Sequence, residues 1–232
     1  MIIGLTLAQI GVWLLYLSLP LLAIYLGYLI VTKAFNDMGF SSIEAIIIVF
    51  GSFLLGSGLL DQYLGIPFAN IPLFTINSWK VGISTGGALI PLALSLYLFY
   101  KNKLPWKRVG LGIIVVAIVT FFVTSPDPNK GIVAVFPYWI IPIVTASVAS
   151  MWLAWKTQYR PAPLAYICGT LGVLIGADML HLLQLLNMTI ETEISAVIGG
   201  AHVFDMVFIT GILAVILDGV IVIKKEKTPS SE

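Results

Sequence analysis

Long apolar stretches separated by short polar ones dominate this chain. A membrane-spanning helix needs roughly 20 apolar residues at a rise of about 1.5 Å per residue. Seven stretches reach or approach that length, and they predict an all-α integral membrane protein with a bundle of about seven transmembrane helices. We expect one transmembrane domain over residues 1–223 and a disordered cytoplasmic tail at 224–232. The predicted spans are residues 2–32, 43–60, 86–100, 109–125, 132–155, 163–186 and 196–223.

Composition and charge refine this topology. Of the residues, 59% are hydrophobic and 10% are charged, whereas a soluble domain is typically about 25% charged. Lys and Arg concentrate on the cytoplasmic side of membrane proteins. With seven spans and the N-terminus outside, Lys80 and Lys130 fall outside and the other ten of the twelve Lys and Arg residues fall inside. We therefore expect a multi-pass protein of the cell membrane, with the C-terminus inside.

The charge pattern also bears on partners. The net charge of +1 by itself says nothing about partners. We expect the lipid bilayer as the environment and no nucleic acid as a partner. The substrate would be embedded in the membrane or lie at its outer face. The oligomeric state stays open, with a homo-oligomer among the alternatives.

The stretch from residue 61 to residue 91 departs from a plain helical pattern. Prolines and the pair Gly86-Gly87 interrupt it, and residues 71–76 and 80–84 have the alternation of a short β-hairpin. This outer segment between the second and third helices is either a loop that folds onto the bundle or a re-entrant element that lines a cavity. Its candidate substrate-binding residues are Asn70, Pro72, Gly86, Gly87 and Pro91.

Asp178 and Asp205 lie inside apolar runs that would otherwise suit lipid. Ionisable groups at membrane depth are costly, so they point to a functional site. At about 1.5 Å per residue, Asp178 lies about 12 Å and Asp205 about 13 Å from the outer ends of consecutive spans. Consecutive antiparallel helices are usually neighbours, and we therefore expect the two carboxyl groups to share one site near the outer leaflet as catalytic candidates.

Each aspartate has a histidine three residues away, and His181 and His202 are the two histidines of the chain. On an α-helix, residues three apart share a face, so each Asp–His pair would face the same way. Both histidines, together with Asp61 at the outer end of the second span, are candidate auxiliary residues. Asp218, near the inner end of the last span, is expected at the membrane interface.

Four interpretations of these groups stay open. Two adjacent carboxyl groups can act as acid and base around a water, as in aspartic proteases. An acidic pair near a broken helix can carry protons or sodium ions in a transporter. A metal held by Asp178, His181, His202 and Asp205 is a lesser alternative to the main expectation, which is no cofactor. In the last alternative, Asp–His hydrogen bonds only lock two helices together.

Glycines give the sixth span a second face. Gly169, Gly172 and Gly176 lie about 120–180° from Asp178 on a helical wheel, and Gly172 and Gly176 have the four-residue spacing that lets helices approach closely. We therefore expect this span to be central in the bundle rather than lipid-facing.

The motifs resemble a prokaryotic membrane family known as domain of unknown function 1614. The resemblance covers most of the chain after the second span and implies a polytopic membrane protein without an established activity. That family has Asp at the positions of Asp178 and Asp205, and usually Asn and Gly at those of His181 and His202. The matching stretches are 70–73, 86–91, 169–172, 175–178, 199–201, 204–205, 208 and 210–211.

A looser resemblance is to the presenilin and signal-peptide-peptidase class of intramembrane aspartyl proteases. These use one aspartate on each of two consecutive spans, with a glycine-rich approach to one of them. Here Gly176-Ala177-Asp178 and Gly199-Gly200-Ala201 are partial counterparts, and the Gly-x-Gly-Asp sequence is absent. The favoured hypothesis is thus an intramembrane aspartic-type hydrolase, and the alternatives are an ion-coupled transporter or a non-catalytic membrane protein.

Overall fold

Helices make up most of the chain. The computed structural model describes residues 7–155, 157–188, 193–200 and 205–226. In the described residues, two π-helical turns, Thr85–Leu89 and Leu174–Met179, adjoin the α-helices. The α-helices are α1 Leu7–Asp37, α2 Ser42–Gly56, α3 Leu59–Leu64, α4 Ile90–Lys101, α5 Trp106–Val123, α6 Ile140–Ala154, α7 Pro161–Val173, α8 Leu180–Leu186 and α9 Met206–Glu226.

The first sheet has three strands, two of which lie between α3 and α4 in the sequence. Strands β1 (Asn70–Ile76) and β2 (Trp79–Ser84) form an antiparallel hairpin. Its two turn residues, Asn77 and Ser78, have positive φ angles of 47° and 66°, which are typical of a tight hairpin turn. The predicted hairpin is therefore confirmed. A later strand, Ile194–Ile198, pairs in parallel with the other side of β2.

A second sheet has two strands, β3 (Thr124–Asp127) and β4 (Gly131–Ala134). The prediction of one helix over residues 132–155 is wrong in its first part, because those residues form β4 and then a turn through Pro137 before α6 begins. Proline lacks a backbone N–H and disfavours helical backbone in the residue before it. The later strand of the first sheet is therefore β5, and the all-α class describes most of the chain but not these two sheets.

The predicted helix over residues 196–223 is also wrong in its first third. β5 occupies Ile194–Ile198, and Gly199 and Gly200 follow it with φ angles of 84° and 75°. Such angles lie outside the α-helical region. α9 begins at Met206, so Asp205 immediately precedes this helix instead of lying nine residues into it.

The helix formed by α7, the π-helical turn and α8 is central, as the glycine spacing predicted. It runs without interruption over Pro161–Leu186, and 67% of its most apolar window is buried. Gly169 faces α6 and α9, whereas Gly172 and Gly176 face Val116 and Ala117 of α5. A side chain at Gly172 or Gly176 would overlap α5, so these glycines allow the two helices to pack closely.

Within the described residues, three helices are long and apolar enough to cross a membrane: Gly11–Asp37, Trp106–Val123 and Pro161–Leu186. The window of the first is 0% buried in the protein. Shorter apolar helices are Ser42–Gly56, Ile140–Ala154 and Met206–Ile221. Each of the seven predicted spans therefore contains helix, although three helices have the full length of a crossing.

In the sequence, Ser41 and Glu44 have the spacing of a capping box, which predicts a helix start there, and the structure confirms this cap at the start of α2. The Ser41 hydroxyl accepts a hydrogen bond of 3.2 Å from the Glu44 backbone N–H, and the Glu44 carboxylate accepts one of 2.7 Å from the Ser41 backbone N–H. This reciprocal capping satisfies two backbone donors at the helix start.

Candidate functional site

Asp178 is a buried residue in the π-helical turn Leu174–Met179, and its side chain is 7% exposed. Its Oδ2 atom accepts a hydrogen bond of 2.6 Å from the backbone N–H of Gly199. The carboxyl group is therefore held by the loop that follows β5, a partner that lies 21 residues away along the chain. π-helical turns occur frequently at functional sites.

Asp205 reaches the same region from the start of α9. Its backbone carbonyl accepts the N–H of Ile209, which begins the helix. Its carboxylate rests against Gly200 so closely that a Cβ at Gly200 would overlap it. The loop Gly199-Gly200 therefore contacts both aspartates, one through a backbone N–H and the other through a glycine Cα.

Only glycine fits in this loop. Besides its positive φ angle, Gly199 lies against the π-helical turn Thr85–Leu89, where a Cβ would overlap Ala88. A Cβ at Gly87 would in turn overlap the carbonyl oxygen of Gly199. Two glycine pairs that are far apart in the sequence, Gly86-Gly87 and Gly199-Gly200, thus meet beside Asp178.

Asp178 and Asp205 line the same two cavities. The first, which we name the helix-side cavity, has a volume of about 320 Å³ and lies among α7, α9 and the loop before α6. The second, the strand-side cavity, has a volume of about 290 Å³ and lies beside β5. The volumes of both cavities are close to the lower end of the size range of small-molecule sites, roughly 300 Å³. Because both aspartates line both cavities, their carboxyl groups border the same space.

Thr210 is a site residue that the sequence analysis did not select. Its side chain is fully buried, and its hydroxyl oxygen has no hydrogen-bond partner among the described residues. It lines the helix-side cavity with both aspartates. A buried hydroxyl without a partner is costly, which distinguishes Thr210 among the residues that line this cavity. The available sequence signal was its position in the stretch 210–211, which resembles the family.

His181 does not pair with Asp178. Its ring is buried and stacks on Phe121 with centroids 4.4 Å apart. Nε2 lies 3.0 Å from the carbonyl oxygen of Phe121, and Nδ1 lies 2.8 Å from Oε1 of Gln184. The expectation of a shared Asp–His face is wrong for this pair, because the ring points toward α5. Residues 157–188 and the other described ranges contain no cluster of three potential His, Cys, Asp or Glu metal ligands.

His202 lies outside the described residues, so its predicted role stays a prediction. The alternative of a metal held by Asp178, His181, His202 and Asp205 therefore loses His181, whose ring contacts Phe121. His202 has no described position.

Asp61 has a structural role at the start of the irregular segment. Its Oδ1 accepts backbone hydrogen bonds from Phe68 at 2.9 Å and Ala69 at 3.0 Å. Neither of the two cavities includes it in its lining. Its carboxylate therefore closes the turn that leads from α3 into β1.

The five candidate substrate-binding residues of the irregular segment also lie outside both linings. Asn70 and Pro72 belong to β1, and Pro72 is exposed beside a break in the strand register. Gly86 and Gly87 are buried in the π-helical turn, and Pro91 is buried in the first turn of α4. Of these residues, Gly87 supports the site indirectly through its contact with Gly199.

A family model described as protein of unknown function DUF1614 matches residues 61–217. The chain belongs to this family. The match includes both aspartates, Thr210 and the glycine pairs Gly86-Gly87 and Gly199-Gly200. No curated protein and no solved structure matches this DUF1614 protein significantly, so the looser resemblance to intramembrane aspartyl proteases has no support from these comparisons.

A second buried carboxyl group lies elsewhere in the DUF1614 protein. Asp218 of α9 is 1% exposed, and its two oxygens accept hydrogen bonds from Ser147 at 2.5 Å and Ser150 at 2.7 Å. The expectation that Asp218 lies at an interface is wrong, because the two serines on one face of α6 supply donors inside the bundle. This group lines neither cavity and joins α6 to α9.

Proposed function

We propose that this protein is an intramembrane aspartic-type hydrolase in which Asp178 and Asp205 act as the acid–base pair. The observation that carries the proposal is that both carboxyl groups line the same two cavities, on either side of the Gly199-Gly200 loop. Two neighbouring carboxyl groups with little access to water share one proton more readily than both ionise. One can then act as base while the other acts as acid.

The proposed reaction is hydrolysis of an amide bond. The carboxylate of the pair takes a proton from water, and the water oxygen forms a bond to the carbonyl carbon. The carboxylic acid of the pair protonates the carbonyl oxygen. The first carboxyl group then gives the proton taken from water to the leaving nitrogen as the C–N bond breaks. A hydroxyl of the tetrahedral intermediate returns its proton to the other carboxylate, and the products are a carboxylic acid and an amine.

The proposal includes a membrane topology. Seven spans with the N-terminus outside and the C-terminus inside agree with the distribution of Lys and Arg. In this topology the ends of α8 and β5 face outward, and the aspartate pair lies toward the outer leaflet. A substrate would then enter from the outer leaflet or the outer face.

The test is cleavage of synthetic transmembrane peptides by the purified protein in ¹⁸O-labelled water. Hydrolysis should place one solvent oxygen in the new carboxyl group, detected by mass spectrometry. Asp178→Asn and Asp205→Asn should each reduce the rate by about 10²–10⁴-fold, the usual contribution of acid–base catalysis. Asp218→Asn, which changes a buried carboxyl group outside both cavities, should retain activity. The proposal fails if the wild-type protein cleaves no peptide or if both site variants cleave normally.

A proton- or sodium-coupled transporter is the second candidate. It is favoured by the π-helical turn that changes the α-helical hydrogen-bond pattern at Asp178, and by the presence of Thr124 and Thr210 beside the two carboxyl groups in the lining of the helix-side cavity. Transporter sites are commonly built at interrupted helices. In proteoliposomes, this function requires an imposed proton or sodium gradient to dissipate faster than in liposomes with Asp178→Asn protein. Equal dissipation would exclude it.

A further inference from the structure

β5 directs alternate backbone groups to opposite sides. The N–H of Ile194 donates to Ser78 at the β2 side. Because the backbone N–H and C=O groups of successive residues in a strand point to opposite edges, those of Ala196 and Ile198 also point toward β2. Ser195, Val197 and Gly199 therefore present their backbone groups to the opposite edge. The hydrogen bond from Gly199 to Asp178 confirms this direction.

That edge is unpaired among the described residues. The sheet order is β1-β2-β5, so β5 is an outer strand. The carbonyl oxygen of Val197 accepts the N–H of Gly200, which closes the turn. The N–H groups of Ser195 and Val197 and the carbonyl of Ser195 have no partner in the described part of the chain. Two donors and one acceptor thus remain available for another strand.

The strand-side cavity runs along this edge. Its lining includes β5 from Ser195 to Ile198, and Leu182 and Leu185 of α8. The same cavity includes Asp178 and Asp205. A groove with backbone donors on one wall, leucine side chains on another and a carboxyl pair at its end has the components that recognise an extended peptide.

We propose that the strand-side cavity binds an extended peptide segment that adds to β5 as a further strand. This inference rests on the proposed hydrolase, for which it names the substrate class. Substrate carbonyl groups accept the N–H groups of Ser195 and Val197, and a substrate N–H donates to the carbonyl of Ser195. Val197 and Gly199 are two residues apart, about 7 Å along a strand. The bond that meets the carboxyl pair therefore lies one or two residues beyond the paired segment.

Strand addition requires particular N–H groups of the peptide to be free to donate hydrogen bonds. Alternate residues of a strand use opposite edges, so only every second N–H of the bound peptide faces β5. Methylation of a nitrogen that faces β5 removes a donor and adds a group that collides with the edge. Methylation of the intervening nitrogens leaves this pairing intact.

The experiment measures binding of a fluorescent peptide, Lys-Val-Thr-Val-Thr-Val-Lys with blocked ends, to the full-length Asp205→Asn protein in detergent. A series of peptides carries one N-methyl group at each successive position. Affinity should fall about tenfold or more at the positions facing β5, as expected for the loss of one hydrogen bond with added steric overlap. It should change less than about twofold at the intervening positions. Because the modification is in the peptide, folding of the protein is unaffected.

Val197→Pro, which removes an N–H at the open edge, should weaken binding of the unmodified peptide about tenfold. Thr75→Pro, on β1 with its N–H directed away from β2 and remote from the cavity lining, serves as the matched strand variant and should bind normally. Absence of binding, or N-methyl effects without a two-residue period, overturns the proposal. Periodic binding without cleavage by the wild-type protein refutes the hydrolase alone. Cleavage without the periodic pattern refutes the strand site alone.

Discussion

At the scale of single residues, Gly200 determines where the carboxylate of Asp205 lies. The glycine has a φ angle of 75°, and the carboxylate occupies the space that a side chain would need. Two physical constraints therefore act at one position: backbone geometry and close packing. A positive φ angle is common to several glycines of the chain, whereas the close contact with the carboxylate of Asp205 places Gly200 in the candidate site.

Substitution of Gly200 by alanine separates these constraints. We expect Gly200→Ala to lower the free energy of unfolding by about 1–3 kcal/mol, through left-handed backbone strain and displacement of Asp205. Gly65→Ala is the matched control, because Gly65 has a φ angle of 66° and open space around its Cα. It should cost about 1 kcal/mol. Unfolding in detergent measures both. Equal effects would contradict the contact between Gly200 and Asp205.

The serines that bind Asp218 allow a second prediction at this scale. Ser147→Ala or Ser150→Ala leaves one oxygen of a buried carboxyl group without its donor. Each should lower the free energy of unfolding by about 1–3 kcal/mol. Ser125→Ala, at an exposed serine, should change it by less than about 0.5 kcal/mol. Denaturant titration compares the three variants, and similar values for all of them would contradict a structural role for this hydrogen-bonded group.

At the scale of elements, the parallel pairing of β2 with β5 places the site. It joins the irregular segment to the loop before α9, and this loop carries Gly199 and Gly200 to Asp178. A parallel pair requires a long connection between its strands, and here that connection contains α4 to α8. The site therefore forms only when these helices have packed.

The register of this pair is testable by disulfide formation. Lys80 and Ser195 are exposed partners across β2 and β5, and paired strands lie about 4.8 Å apart, within reach of a disulfide. Lys80→Cys with Ser195→Cys should cross-link under mild oxidation, as followed by cleavage of the connecting chain and gel electrophoresis. Thr75→Cys with Ser195→Cys is the control: Thr75 pairs with Lys80 from the far side of β2, about 10 Å from β5. Efficient cross-linking of the control pair would contradict the strand order.

At the scale of the whole molecule, burial is unequal among the helices. The helix Pro161–Leu186 is largely enclosed, whereas the apolar window of Gly11–Asp37 is 0% buried. An apolar helix without protein around it is stable in lipid and not in water. The length, apolarity and exposure of this helix are those expected of a membrane protein.

The proposed topology, with the N-terminus outside and the C-terminus inside, predicts which ends of the helices are accessible from outside the cell. Cys168 is buried, so introduced cysteines can be labelled selectively. In intact cells, a membrane-impermeant maleimide should label Lys130→Cys but not Lys103→Cys, and permeabilisation should expose the latter. Both lysines are exposed in the structure. The opposite labelling pattern would place the aspartate pair toward the inner leaflet and overturn the proposed orientation.

Sequence alone was sufficient where a local rule dominates. Length and apolarity predicted that each of the seven stretches contains helix, the Ser41–Glu44 spacing predicted the cap of α2, and turn residues between alternating stretches predicted the β1–β2 hairpin. Small residues at four-residue spacing predicted the central helix. In each case the interacting groups are close in the chain, or the rule depends only on residue size and polarity.

Tertiary structure determined those features that depend on contacts between residues far apart in the chain. A short apolar run such as Ile194–Ile198 is compatible with helix or strand, and pairing with β2 determines that it is a strand. The same pairing moves Asp205 from a predicted helix interior to the start of α9. His181 turns toward Phe121 and Asp218 toward two serines because those partners come from other helices. The sequence thus selected Asp178 and Asp205 as candidates, and only the folded chain determined that the Gly199-Gly200 loop contacts both of them.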